Sequence, residues 1–195
     1  AAKTPTCWLN AWTRRWPVWQ AMAASIGVPV TAAELDQVRD LMRAFSDWQR
    51  QRNVEDIELV DQYFDAVEFE AELASLPGKY GPPHGQLLLA TLHGDAAGCV
   101  ALRRIDPDSC EMKRMFVHAR FQGRGIGRAL AQAIIAQAGL MGYSTMRLDT
   151  SVRQIEAQSL YAGLGFRSIE PYYELSARLR NWLVFMELEL TSSAG

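Results

Sequence analysis

The sequence predicts an α/β (α+β) fold, a sandwich of helices around a partly antiparallel sheet. Three observations carry this expectation. A capped amphipathic helix opens near residue 31, and three strand-like runs joined by tight turns follow between residues 86 and 117. Helical and strand patterns then alternate to residue 190.

Thr31-Ala32-Ala33-Glu34 is a capping box, in which the Thr31 hydroxyl accepts the Glu34 N–H while the Glu34 carboxylate reaches back. Leu35, Val38, Leu41, Met42, Phe45 and Trp48 follow at spacings of three and four, which predicts a helix to about residue 50. A second helix is predicted over 61–76. Phe64, Val67, Ala71, Leu73 and Leu76 face inward, Asp65, Glu68, Glu70 and Glu72 face outward, and Pro77-Gly78 ends it. Residues 86–92, 97–105 and 110–117 read as a meander, with His93-Gly94-Asp95 and Asp106-Pro107-Asp108-Ser109 as its turns. A helix over 124–141, a strand over 144–149, a helix over 153–162, and strands over 166–169 and 182–190 complete the pattern, with an irregular stretch before the last strand.

Composition narrows the function. Of the 195 residues, 49% are apolar and 22% charged, which suits a globular domain and excludes collagen-like, disordered and disulfide-scaffold chains. No apolar run approaches the ~18–20 residues of a membrane span. Cys7, Cys99 and Cys110 form no metal-ligand pattern and read as reduced thiols of a cytoplasmic protein. The net charge of −2 hides an uneven spread: residues 34–80 hold 12 acids against five bases, while residues 103–128 hold seven bases against three acids. A local basic centre of this size suits an anionic small cofactor and does not require a nucleic acid. Trp8, Trp12, Trp16 and Trp19 mark residues 1–30 as an extension of unassigned role, which leaves 31–195 as the domain.

The chemistry concentrates in Arg120-Phe121-Gln122-Gly123-Arg124-Gly125-Ile126-Gly127-Arg128. Three glycines at a helix start expose consecutive backbone N–H groups, and the helix dipole makes the spot positive. A phosphate or pyrophosphate fits there, with Arg124 and Arg128 adding charge-assisted bonds. The Lys-Ser/Thr ending of a nucleotide-binding P-loop is missing. A dinucleotide site is the alternative, since Asp149 stands 22 residues beyond Gly127, but the glycine spacing differs and the first Gly is late. A tight loop without a ligand is the structural alternative.

Gln122-Gly123-Arg124-Gly125-Ile126-Gly127 resembles the Q/R-x-x-G-x-G/A loop of the GNAT superfamily of acyl-CoA-dependent N-acyltransferases. Gln154, Ala157, Leu160, Tyr161, Gly165 and Phe166 resemble its later N-x-x-A-x-x-LY-x-x-x-GF signature, with Gln in place of the first Asn. The resemblance runs from about residue 31 to 190. It implies a mixed, mostly antiparallel central sheet with helices on both faces. It also implies acetyl-CoA in a V between the strands at 110–117 and 144–149. The pyrophosphate would lie on the amides of Gln122, Gly123, Arg124, Gly125, Ile126, Gly127 and Arg128. Phe116 and Val117 would pair with the pantetheine arm, and Gln154 would hold the cofactor. Tyr161 would protonate the departing thiolate, a phenol being well matched to a thiol; its alternative is a core aromatic. Glu111 would act as the base that frees the amine; its alternative is a strand carboxylate paired with Lys113 or Arg103. No metal is implied.

The resemblance thus implies an N-acetyltransferase acting on a primary amine of a small or amino-acid-like molecule, by direct attack on the thioester. Asp65, Glu68, Glu70, Glu72, Tyr172, Tyr173 and Glu174 are the acceptor-side candidates. His84 and His118 are left without a role. A non-catalytic acyl-CoA-binding module and a dinucleotide-dependent enzyme are the competing readings. The partners expected are a small amine and, at most, a second copy of the chain, with neither nucleic acid nor membrane.

Overall fold

The computed structural model describes residues 24–190, so the tryptophan-rich segment at 1–23 lies outside the described residues. A seven-stranded mixed sheet runs in the order β1 (Ser25–Gly27), β2 (Gln86–Leu92), β3 (Asp95–Arg104), β4 (Ser109–Val117), β5 (Thr145–Ser151), β7 (Leu183–Glu189), β6 (Arg167–Ile169). Every neighbouring pair is antiparallel except β4 and β5, which are parallel. Strand β1 lies inside the stretch that the sequence reading assigns to the extension. It is three residues long and pairs with the edge of β2, too short for a periodicity signal.

Strand alternation divides the core. Leu88, Val100, Leu102 and Met112 face α4 (Ile126–Leu140), where Leu130, Ala131 and Ile134 are fully buried. Leu87, Leu89, Ala101 and Phe116 face α1 (Ala32–Arg52), α2 (Ile57–Tyr63) and α3 (Ala66–Ala74), which contribute Val38, Met42, Val60 and Leu73, with Phe64 just after α2. Truncating a fully buried leucine in either layer costs ~2–5 kcal/mol. Helix α5 (Ile155–Ala162) follows β5, and the short α6 (Ala177–Trp182) occupies part of the stretch expected to be irregular.

The capping box forms as predicted: Glu34 N–H donates to the Thr31 hydroxyl at 3.2 Å, and Thr31 N–H to the Glu34 carboxylate at 2.9 Å. The helix expected over 61–76 is instead two. Asp65 accepts from the N–H groups of Val67 and Glu68 and starts α3 afresh. This break rotates the face: Val67 is 79% exposed, whereas Phe69 is buried.

Candidate active site

Two departures from regular sheet geometry open the site. Cys99 faces Phe116 and Ala101 faces Lys113, so Arg114 and Met115 together oppose Val100, a β-bulge. Strand β4 also pairs with β5 only over Ser109–Glu111 and Thr145–Arg147. Beyond those residues the two strands part, and their facing edges have no strand partner.

The bulge carries a backbone cost. Arg114 has φ +54°, a left-handed conformation that a side-chain-bearing residue adopts at ~1–2 kcal/mol. Its guanidinium is held on several sides. It donates to both carboxylate oxygens of Glu72 at 2.7 and 3.1 Å and lies 5.0 and 5.1 Å from the ring centres of Phe64 and Phe69. Tyr80 O–H and Lys79 Nζ complete the Glu72 carboxylate. Burial pushes the Glu72 carboxyl up, but the bonds from Arg114 and Lys79 outweigh it and bring it down to about 2. Glu72 therefore points inward, against expectation, because the break at Asp65 turns α3.

Two cavities meet in the cleft. The larger, about 410 Å³, is lined by Phe116, Val117, Gln122, Gly123, Gly125, Ile126, Gly127 and Gln154, together with Trp48, Arg52, Glu156 and Leu160. Gly123 and Gly125 have φ +73° and +78°, so the turn needs glycine at both. Helix α4 starts at Ile126 with no side-chain cap, which leaves its first N–H groups turned toward the groove. Gln122 Nε2 donates to the Val117 carbonyl at 3.0 Å and fixes where the loop leaves β4. Arg124 and Arg128 are exposed, line neither cavity, and make no ion pair among the described residues.

The smaller cavity, about 60 Å³, lies deeper, lined by residues including Gln49, Tyr63, Lys113, Asp149, Gln154 and Tyr161. Tyr161 is buried, and among the described residues its hydroxyl meets only the Met115 sulfur, at 3.6 Å. Burial, reinforced by the Asp149 charge, pushes this phenol well above its ordinary value, so it keeps its proton. Gln154 accepts from the Thr150 hydroxyl at 2.6 Å and from Ser151 N–H at 3.2 Å, and it lines both cavities.

Glu111 is fully buried and lines neither cavity. It bonds Arg103 at 2.5 Å and Tyr172 at 2.7 Å, with Lys113 at 3.4 Å. The carboxylate on the cavity wall is Asp149. It receives Tyr63 O–H at 2.5 Å, Lys113 Nζ at 2.7 Å and Tyr173 O–H at 2.9 Å. Burial raises the Asp149 carboxyl, but Lys113 and the two hydroxyls more than offset this, and it stays ionised. Burial alone would lower Lys113, yet the charges of Asp149 and Glu111 leave it raised.

Several expected residues serve elsewhere. Asp149 bonds inward and not as a ribose ligand would. Asp65 caps α3, Glu70 pairs with Arg43, and none of Asp65, Glu68, Glu70 and Glu72 lines the inner cavity. His118 accepts from Arg120 N–H, and His84 lies 3.3 Å from Arg104. Sequence reading gave no role to Gln49 or Tyr63, and it offered Lys113 only as a partner of Glu111, a contact that forms at 3.4 Å beside the Arg103 pair. A usable signal existed in the polar residues at stripe positions of α1 and on the core face of β4. Among the described residues no group of His, Cys, Asp and Glu could hold a metal, and no helix is long and apolar enough to cross a membrane.

Residues 41–166 match the Acetyltransferase (GNAT) family. An uncharacterized N-acetyltransferase of Schizosaccharomyces pombe is 43% identical over 122 residues, 62% of this chain and 73% of that protein. The N-acetylaspartate synthetase of Danio rerio is 35% identical over 109 residues, 55% of this chain and only 38% of that protein. Among solved structures, a GNAT-family acetyltransferase of Staphylococcus aureus superposes with a TM-score of 0.67 at 22% identity, covering 87% of this chain and all of that one. The PaiA N-acetyltransferase of Thermoplasma acidophilum, solved in complex with coenzyme A, gives 0.64 at 16% identity, with 86% and 99% covered.

Proposed function

The chain belongs to the GNAT family of acetyltransferases, and we propose that it moves the acetyl group of acetyl-CoA directly onto a primary amine of a small, amino-acid-like acceptor in the cytoplasm. One observation supports the reading: the Tyr161 hydroxyl, which keeps its proton and among the described residues bonds only the Met115 thioether, lines a small polar cavity that shares Met115, Gln154 and Ala157 with the glycine-loop groove. Phe116, Val117 and Gln154 would hold the pantetheine arm along the free strand edges. The amides from Gln122 to Arg128 would take the pyrophosphate, with Arg124 and Arg128 supplying charge from outside.

The acceptor nitrogen attacks the thioester carbon, and the new N–C bond pushes electrons onto the carbonyl oxygen. The nitrogen's surplus proton leaves through the Tyr63 hydroxyl to Asp149. Glu111 supports this step from behind Lys113 and does not meet the amine itself. As the C–S bond breaks, the sulfur takes the Tyr161 proton; before the next cycle solvent reprotonates Tyr161 and takes up the proton left on Asp149. Among the described residues neither cysteine, Cys99 or Cys110, lines either cavity, and direct attack of the amine is the proposed route. The S. pombe and D. rerio relatives, by their names, support an amine acceptor, the latter an amino acid.

The test is release of CoA from acetyl-CoA over a panel of amino acids, alkylamines and diamines, beside direct binding of acetyl-CoA and NAD(P). Turnover with one or more small amines is expected. Tight acetyl-CoA binding with no turnover would leave a binding module, and NAD(P) binding in its place would overturn the cofactor.

A further inference from the structure

We propose that Gln49 recognises the acceptor, donating its side-chain N–H to an oxygen carried close to the reacting amine, as in an amino acid. This rests on the amine-acetylating reading above and names the acceptor class for that site. Gln49 is only 4% exposed, four residues after Phe45 on the stripe of α1 that otherwise packs on the sheet. A carboxamide there would be unfavourable with nothing to bond.

Its orientation is fixed by chemistry. Asn53 Nδ2 donates to the Gln49 backbone carbonyl at 2.8 Å and to the Gln49 side-chain oxygen at 2.9 Å. A backbone carbonyl only accepts, so the Asn53 group must be its NH₂; an NH₂ only donates, so Gln49 must present Oε1 to it. Gln49 Nε2 is thereby turned away, makes no hydrogen bond among the described residues, and belongs to a side chain lining the inner cavity beside Lys113 and Asp149. The arrangement leaves Asn53 Oδ1 buried without a partner, a cost that marks this amide pair as more than packing.

Gln154 separates the two roles. Its amide is fixed in the same way by Ser151 N–H, but it lines the cofactor groove as well as the inner cavity. Gln49 lines the inner cavity and not the groove, the side to which the proposed reaction assigns the acceptor. An acceptor lacking the oxygen would enclose the Gln49 N–H with nothing to receive it.

The experiment compares kcat/KM for matched pairs, each an amino acid and the amine formed from it by loss of the carboxyl group. Wild type is expected to favour the amino acid by ~10-fold or more, since a site built around a polar contact rejects analogues without it. Gln49→Leu should bring the ratio close to one while keeping activity on the plain amine and the KM for acetyl-CoA. Gln49→Glu, close in shape to the native side chain, should invert the preference and serves if the leucine variant does not fold. An unchanged ratio in a folded variant, or equal loss on both members of a pair, would overturn the proposal. Wild-type preference for plain amines would overturn it while leaving acetyl transfer standing, whereas no turnover of any amine would overturn both.

Discussion

The two cavities are built by opposite means. The groove beside the glycine loop is wide and made largely from two contiguous stretches, Phe116–Gly127 and Gln154–Leu160, and to it the chain adds backbone features: free strand edges, left-handed glycines and an uncapped helix start. The inner cavity is small and made of side chains from α1, α2, β4, β5 and α5, with charges that cancel through direct bonds. Backbone donors suit a ligand common to a whole family, because they survive most substitutions. Side-chain networks suit a ligand that varies, since one replacement changes what fits.

Three substitutions test that division, in decreasing order of effect. Tyr161→Phe removes one oxygen from the wall of the inner cavity. It should lower kcat by ~10²-fold or more while the Kd for acetyl-CoA stays within ~2-fold. Equal losses in rate and binding, from steady-state kinetics beside calorimetry, would return Tyr161 to packing.

Lys113→Met should act mainly on stability. It leaves Asp149 and Glu111 buried without the ammonium between them, a change worth ~3–5 kcal/mol. Urea denaturation reads this directly, and a loss below ~1 kcal/mol, the scale of a surface pair, would mean the network is wetter than drawn. Replacing both Arg124 and Arg128 by Ala should have the smallest effect. Acetyl-CoA affinity should fall a few-fold at low salt, and the deficit should vanish as screening shortens to ~3 Å at 1 M ionic strength. A deficit that persists in high salt would place these side chains inside the groove.

The same division explains what could be read before the fold was known. The glycine loop, the Tyr161 motif and the capping box are local, their chemistry contained within a few adjacent residues; the capping box forms as expected, and the glycine loop leads into the start of α4. Glu72 reads as surface because it shares a helical face with other acids, and only the Asp65 break turns it to Arg114. Asp149 and Lys113 lie 36 positions apart, and their bond depends on a parallel strand pair that no local pattern specifies. Gln49 was legible in principle as a polar residue on an apolar stripe, but its meaning required Asn53 and the cavity. Strand β1 and helix α6 were lost to brevity.

The parting of β4 from β5 has a thermodynamic consequence. Three residue pairs join one half of the sheet, β1 to β4, to the other half, β5 to β7. A cofactor arm lying between them would act as a missing strand, making occupancy and cohesion one quantity. Acetyl-CoA at 100 times its Kd should raise the unfolding free energy by about 2.7 kcal/mol. Amide exchange should slow most along the facing edges of β4 and β5, where ligand binding would complete the sheet.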